Sequence, residues 1–149
     1  DNTRSRGLGD VYKRQVKYTK NVMSAHRTPH DVMELIKRSE ENGCKVFIAA
    51  AGMAAHLAGA VAAHSTKPVI GIPIESGGMG GIDSLLSTAM MPPGVPVATV
   101  AVGKSGAKNS AILAVQILAT SDDELAQKLK DYKSNMREEV LEKDKKLNS

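Results

Sequence analysis

The sequence predicts an α/β domain with a parallel sheet and helices on both of its faces. Two observations predict it. Short apolar runs alternate with stretches of helical period at the spacing of strand–helix units. One of those runs, Cys44 to Ala50, is almost wholly apolar, the pattern of a parallel strand covered on both faces. The length of 149 residues fits one domain with a proper core. Hydrophobic residues make up 42% of the chain, yet it holds one Phe, three Tyr and no Trp, so the core must be aliphatic. That favours a tightly packed α/β protein over an aromatic-lined binding module.

The elements follow in order. Residues 1–15 hold three Arg, two Gly and almost no apolar periodicity, and they read as a disordered or foreign leader. Val16 to Met23 read as the first strand. Pro29 to Asn42 make a helix with Val32, Leu35 and Ile36 inward. Pro29 stands at its first position, Thr28 can cap it, Asp31 lies in its first turn and Gly43 ends it. Cys44 to Ala50 form the second strand, and Ala54 to Ala63 a short Ala-rich helix able to lie close to the sheet. Pro68 precedes a third strand, Val69 to Ile72, and a glycine-rich loop runs from Pro73 to Gly81. Asp83 can cap a helix through Leu85 and Leu86 toward Met90, and Met91 to Pro96 stop it. Val97 to Val102 make a fourth strand, Gly103 to Asn109 a turn, and Ser110 to Ala119 a helix. Ser121 to Glu124 open a final charged helix with Leu125, Leu129, Tyr132 and Met136 on one stripe. Beyond Leu141 the tail reads as loose. The expected organisation is a leader at 1–15, an α/β domain at 16–142 and a tail at 143–149.

Charge and composition exclude several functions. The net charge is +4, and half of it comes from residues 1–15. Across residues 24–120, seven Lys/Arg face six Asp/Glu without a run of either sign. Nucleic-acid binding needs a concentrated basic face, often with aromatic platforms, and neither is present. Cys44 is the only cysteine, so an intramolecular disulfide and a cysteine-based zinc site are both ruled out; it reads as an inert core thiol at the head of its strand. The chain has no secretory segment and no apolar stretch long enough for a membrane, so the expected location is cytoplasmic.

Chemistry gathers at two strand ends. Ser24-Ala25-His26-Arg27-Thr28-Pro29 is a strand-to-helix turn that offers free backbone N–H groups, a hydroxyl, a guanidinium and an imidazole to one spot. In open α/β sheets, ligands bind at that carboxyl end of the strands. Ala51-Gly52-Met53-Ala54-Ala55-His56-Leu57 repeats the arrangement after the next strand, so the two histidine-bearing turns argue for one shared pocket. An anionic substrate needing proton transfer fits these groups. His30 and His64 read as solvent-facing, and no carboxylate is spaced to complete a catalytic zinc set with the histidines. Gly77-Gly78-Met79-Gly80-Gly81 matches neither the P-loop nor the dinucleotide fingerprint, and Gly103-Lys104-Ser105 lacks the upstream glycine of a P-loop. The glycines either let backbone approach a ligand or a neighbouring subunit, or form a flexible structural loop.

Five motifs in order carry a family resemblance. They are Ser24-Ala25-His26-Arg27-Thr28-Pro29, Ala54-Ala55-His56-Leu57, Asp83-Ser84-Leu85-Leu86-Ser87, Met91-Pro92-Pro93-Gly94-Val95-Pro96-Val97-Ala98-Thr99 and Asn109-Ser110-Ala111-Ile112-Leu113-Ala114. Over about Val16 to Leu141 the chain resembles the 5-(carboxyamino)imidazole ribonucleotide mutases of purine biosynthesis. The resemblance implies a flavodoxin-like three-layer α/β sandwich, a homo-octamer, and a phosphoribosyl-imidazole substrate handled without metal or organic cofactor. It implies that His26 is the general acid/base, that Ser24 and Arg27 hold the substrate's anionic groups, and that Ala25 lines the substrate site. Gly52, Met53, Ala54, His56 and Leu57 would form the other wall. His56 either lies near the substrate carboxylate or only shapes its loop.

One departure stands out. The family begins with a strand, a Gly-Ser-x-Ser-Asp loop and a helix, and the loop supplies ligands for phosphate and ribose. The leader at 1–15 matches none of it. The expectation is a fold lacking its first strand–helix unit, inactive on its own, with an exposed sheet edge that promotes poor solubility or aberrant association. Two other functions stay open: the related carboxylase that uses free carbon dioxide, and a non-catalytic module binding a phosphoribosyl ligand.

Overall fold

The computed structural model describes residues 16–149, and the leader expected at 1–15 lies outside them. Helix α1 (Pro29–Glu41) begins and ends where its local signals put it. Pro29 has no N–H to lose at the first position, and Gly43 takes φ +83°, a left-handed conformation that stops the helix. Strand β1 (Phe47–Gly52), helix α2 (Leu57–His64), strand β2 (Val69–Ile74), helix α3 (Ile82–Ala89), strand β3 (Ala98–Thr99), helix α4 (Lys104–Ala119) and helix α5 (Asp123–Leu147) follow. The described strands form one parallel sheet in the order β1-β2-β3, with Ala49 beside Gly71 and Gly71 beside Thr99.

The largest core cluster lies on one side of that sheet. Val32 and Ile36 of α1, Ala58 and Val61 of α2, and Ala49 and Val69 of the strands make one cluster, with Met23, Phe47, Leu57 and Val97 packed against it. Gly71 is its tightest point, since a Cβ there would meet Thr88 of α3, Val97 and Ala58 together. The other face of β2 carries Ile70 and Ile72, both buried, and α4 is the remaining helix against that strand. Helix α5 packs on α4 through Leu125. Its first turn is closed by the Asp122 carboxylate, which accepts from the Leu125 N–H at 3.0 Å.

Several expectations give way to long-range pairing. Val16–Met23 is not a strand: it carries no ladder among the described residues, and Val22 is fully exposed. Strand β1 starts at Phe47 instead of Cys44, whose thiol lies in the preceding turn and donates to the Val46 carbonyl. Nor is β1 covered on both faces, because Ile48 is 45% exposed and Ala50 is exposed too. The Ala-rich helix begins at Leu57, three residues later than expected, because residues 53–56 form the turn that leads into it. Strand β2 continues through Pro73. That residue's carbonyl accepts from Gly103 N–H at 2.9 Å, so its nitrogen also faces the side where β3 has ended and no ladder bond is lost.

The fourth predicted strand shrinks to Ala98–Thr99 for a geometric reason. Gly71 and Pro73 carbonyls accept from Val100 and Gly103, so two steps on β2 face three on its partner, a bulge that breaks the ladder. The turn expected at Gly103 to Asn109 is mostly helix, since α4 starts at Lys104 and seats Gly106 directly on the Ala101 carbonyl. The cap expected from Asp83 is also corrected: Gly81, at φ +82°, is the N-cap, and Asp83 sits inside the first turn. The tail expected to be loose is helical as far as Leu147. No helix among the described residues is long and apolar enough to cross a membrane.

Candidate active site

The turn after Met23 closes on itself. Thr28 N–H donates to the Ser24 carbonyl at 2.9 Å, and the Thr28 hydroxyl donates to the same carbonyl at 3.0 Å. That hydroxyl also accepts from Ser24 N–H at 2.9 Å. Thr28 therefore holds the turn and does not cap α1, as its sequence position suggests it could. Ser24 Oγ accepts from the Arg27 backbone N–H at 3.1 Å and from Arg27 Nε at 3.4 Å. This aligns the guanidinium with the hydroxyl, and Arg27 makes no salt bridge among the described residues.

The turn after β1 is as constrained. Gly52 ends the strand with the Ser76 hydroxyl lying where its Cβ would be. Met53 takes φ +56°, a left-handed conformation rare for a side chain of its size. His56 N–H donates to the Ala54 carbonyl at 2.8 Å, and Ala55, 2% exposed, anchors the turn in the core.

The two turns meet. His26 Nε2 lies 2.6 Å from His56 Nδ1, with the rings edge-to-face and their centroids 4.8 Å apart. One ring must carry the proton and donate it to the other, so the pair shares a proton between two turns 30 residues apart. Both imidazoles are exposed to solvent. They stand beside the N-termini of α1 and α2, neither of which has a side-chain cap, so first-turn N–H groups remain for an anionic ligand.

The remaining candidates divide clearly. Ala25 is half-buried and Ala54 exposed beside the pair. Leu57 turns away and packs against the core cluster. His30 and His64 are exposed, and His64 donates to the Ala60 carbonyl at 2.8 Å. Among the described residues, no three of His, Cys, Asp and Glu gather as metal ligands would. Sequence reasoning missed that Ser76, Gly77 and Asp83 bring the glycine-rich loop against Gly52 and Met53. The only trace of that contact in the sequence is a glycine on each side of it.

The chain is similar to proteins of one family over most of its length. The chain is 52% identical over 127 residues to the N5-carboxyaminoimidazole ribonucleotide mutase of Bacillus subtilis (strain 168), covering 85% of this chain and 78% of that one. It is 52% identical over 121 residues to the mutase of the same name from Escherichia coli (strain K12), covering 81% and 72%. The crystal structure of Treponema denticola PurE superimposes with a TM-score of 0.82 at 27% identity, over 99% of this chain and 94% of that one. It is the same flavodoxin-like α/β fold that the motifs imply. A family model described as AIR carboxylase matches residues 7–139. By these matches the chain belongs to the AIR carboxylase family.

Proposed function

We propose that this chain is a 5-(carboxyamino)imidazole ribonucleotide mutase, an isomerase that moves a carboxylate from the exocyclic nitrogen to carbon 4 of the ring. The observation that carries the reading is the 2.6 Å pairing of His26 with His56 beside two helix N-termini without side-chain caps. His26 gives a proton to the carbamate nitrogen, and the N–C bond breaks to release carbon dioxide. The enamine-like ring carbon then attacks that carbon dioxide, and His26 takes the proton leaving carbon 4, so no proton is gained or lost overall. His56 is the imidazole partner of His26, and the hydrogen bond between them fixes which nitrogen carries the proton. Arg27 and Ser24 bind the anionic groups of the substrate, with Arg27 using charge-assisted bonds. The Gly52–His56 turn is the other wall of the site, with Leu57 anchoring it in the core. The enzyme acts in the cytoplasm as a homo-oligomer, an octamer as the family resemblance implies.

The related carboxylase is the competing function, and the 52% identity to proteins named mutase favours the mutase. Turnover of the carboxyamino substrate without added bicarbonate, by this chain carrying a family-type N-terminus, decides between them and is the result expected of the mutase. Product that forms only from the uncarboxylated ribonucleotide and bicarbonate would assign the carboxylase instead. His26→Asn is expected to lower kcat by about 10²–10⁴-fold. Substrate binding without any turnover in the parent chain would point to a non-catalytic module.

A further inference from the structure

The glycine-rich loop takes no part in the proposed chemistry, yet it is attached to the His56 turn at two points. The Ser76 hydroxyl lies against Gly52, and Gly77 lies between Asp83 and Met53. Beyond them the loop is open, with nothing within 4 Å of where a Cβ would stand on Gly78 or Gly80. Asp83 is held rigidly: its Oδ1 accepts from Ser84 N–H at 2.9 Å, and its main-chain carbonyl accepts from the Ser87 hydroxyl at 2.6 Å. That leaves Oδ2 facing Gly77, 2.5 Å from the position of a Cβ, while Met53 Cγ lies 3.3 Å from the same point.

We infer that Asp83 is a positioning residue, whose carboxylate holds the Gly77 segment against Met53 and thereby holds His56 in register with His26. Met53 holds a left-handed backbone where it meets Gly77. His56 N–H donates to the carbonyl of Ala54, the residue after Met53, at 2.8 Å, so Met53 and His56 belong to one closed turn. A shift at Gly77 therefore reaches the imidazole pair. The catalytic meaning of Asp83 rests on the proposed mutase reaction, whereas its effect on the pair is a matter of geometry alone.

The test is long-range ¹H–¹⁵N correlation of the imidazoles in the full chain, with the paired signals of His26 and His56 identified by their loss in His56→Asn. Asp83→Ala is expected to remain folded and lose the paired signals. Asp83→Asn, which keeps the shape and the acceptor for Ser84, retains them. Gly77→Ala drives a methyl group into Oδ2 and loses them with the first turn of α3 untouched, and adding Asp83→Ala to it recovers part of the signal. Ser87→Ala, in the same helix, leaves the pair unchanged whatever it does to the melting temperature. In turnover, Asp83→Ala lowers kcat about 10- to 100-fold with KM within about threefold, the size expected of a small misplacement. A folded Asp83→Ala with the paired signals intact overturns the inference, as does a parent chain without them. If Asp83→Ala does not fold, Gly77→Ala decides, and signals identical to the parent's overturn it. A parent with paired signals but no turnover, even when a family-type N-terminus is restored, defeats the mutase reading and leaves this inference standing.

Discussion

Gly71→Ala puts a methyl group at the most crowded point of the sheet. Gly71 has no positive φ, so its backbone accepts alanine and the whole effect is packing. The new Cβ would overlap Thr88 Cγ2 and stand 2.9 Å from Val97 Cγ1 and 3.2 Å from Ala58 Cβ. Carbon atoms touch at about 3.5 Å, so Val97 must give by about 0.6 Å and Thr88 by more than about 1 Å. These neighbours belong to α3, the segment before β3, and α2, which cannot move together without opening the core. Overpacking of this kind costs about 3 kcal/mol, at the upper end of its usual range. Loss of unfolded-state freedom returns about 0.4–1 kcal/mol, for a net cost of about 2 kcal/mol. At roughly 4 °C per kcal/mol, the melting temperature falls by about 8 °C. Thr88→Ser alone removes one buried methyl group, costs about 1 kcal/mol, and keeps the hydroxyl that bonds the Ser84 carbonyl at 2.7 Å. In the double variant one methyl group takes the other's place. The pair should then cost about 1 kcal/mol, not 3, a coupling well beyond the roughly 0.5 kcal/mol scatter of independent sites. Urea and thermal melts of all four proteins measure it. A Gly71→Ala protein melting within a degree of the parent, or strict additivity in the double variant, would refute the packing argument.

Two more outcomes follow from the same geometry. Arg27→Ala should raise the substrate KM about 10- to 100-fold, the worth of a charged hydrogen bond at about 1.5–3 kcal/mol. Its exposed side chain makes no ion pair among the described residues, so the melting temperature should stay within about a degree, and a stability loss as large as the binding loss would assign it a structural role. Ile70→Ala should cost about 2–5 kcal/mol because Ile70 is 0% exposed. Ile48→Ala should cost about 1 kcal/mol or less because its face is 45% open. Equal costs in denaturant melts would mean that the open face of β1 is covered in solution.

The sequence by itself determined the class of fold, the limits of α1 and the two histidine turns. Those features rest on local rules: Pro29 fixes a first helical φ, Gly43 takes a left-handed conformation that other residues avoid, and apolar runs alternating with helices predict a parallel sheet. The five motifs also carried the family, and two tight glycines outside them mark where the chain packs closely. Gly52 and Gly71 leave no room for a Cβ. Tertiary structure decided the rest. Val16–Met23 has the composition of a strand, but a strand exists only where a neighbour supplies its hydrogen bonds, and none of the described residues does. The end of β3 depends on a one-residue mismatch with β2, and the open face of β1 on which helices reach it. In the site, the hydrogen bond between His26 and His56 joins turns 30 residues apart, and the seat of Gly77 against Met53 joins two loops that no spacing rule connects. Such contacts are fixed by the packing of α1, α2 and α3 on one side of the sheet. Local preferences set each turn's shape, and only that shared core sets the distance between them.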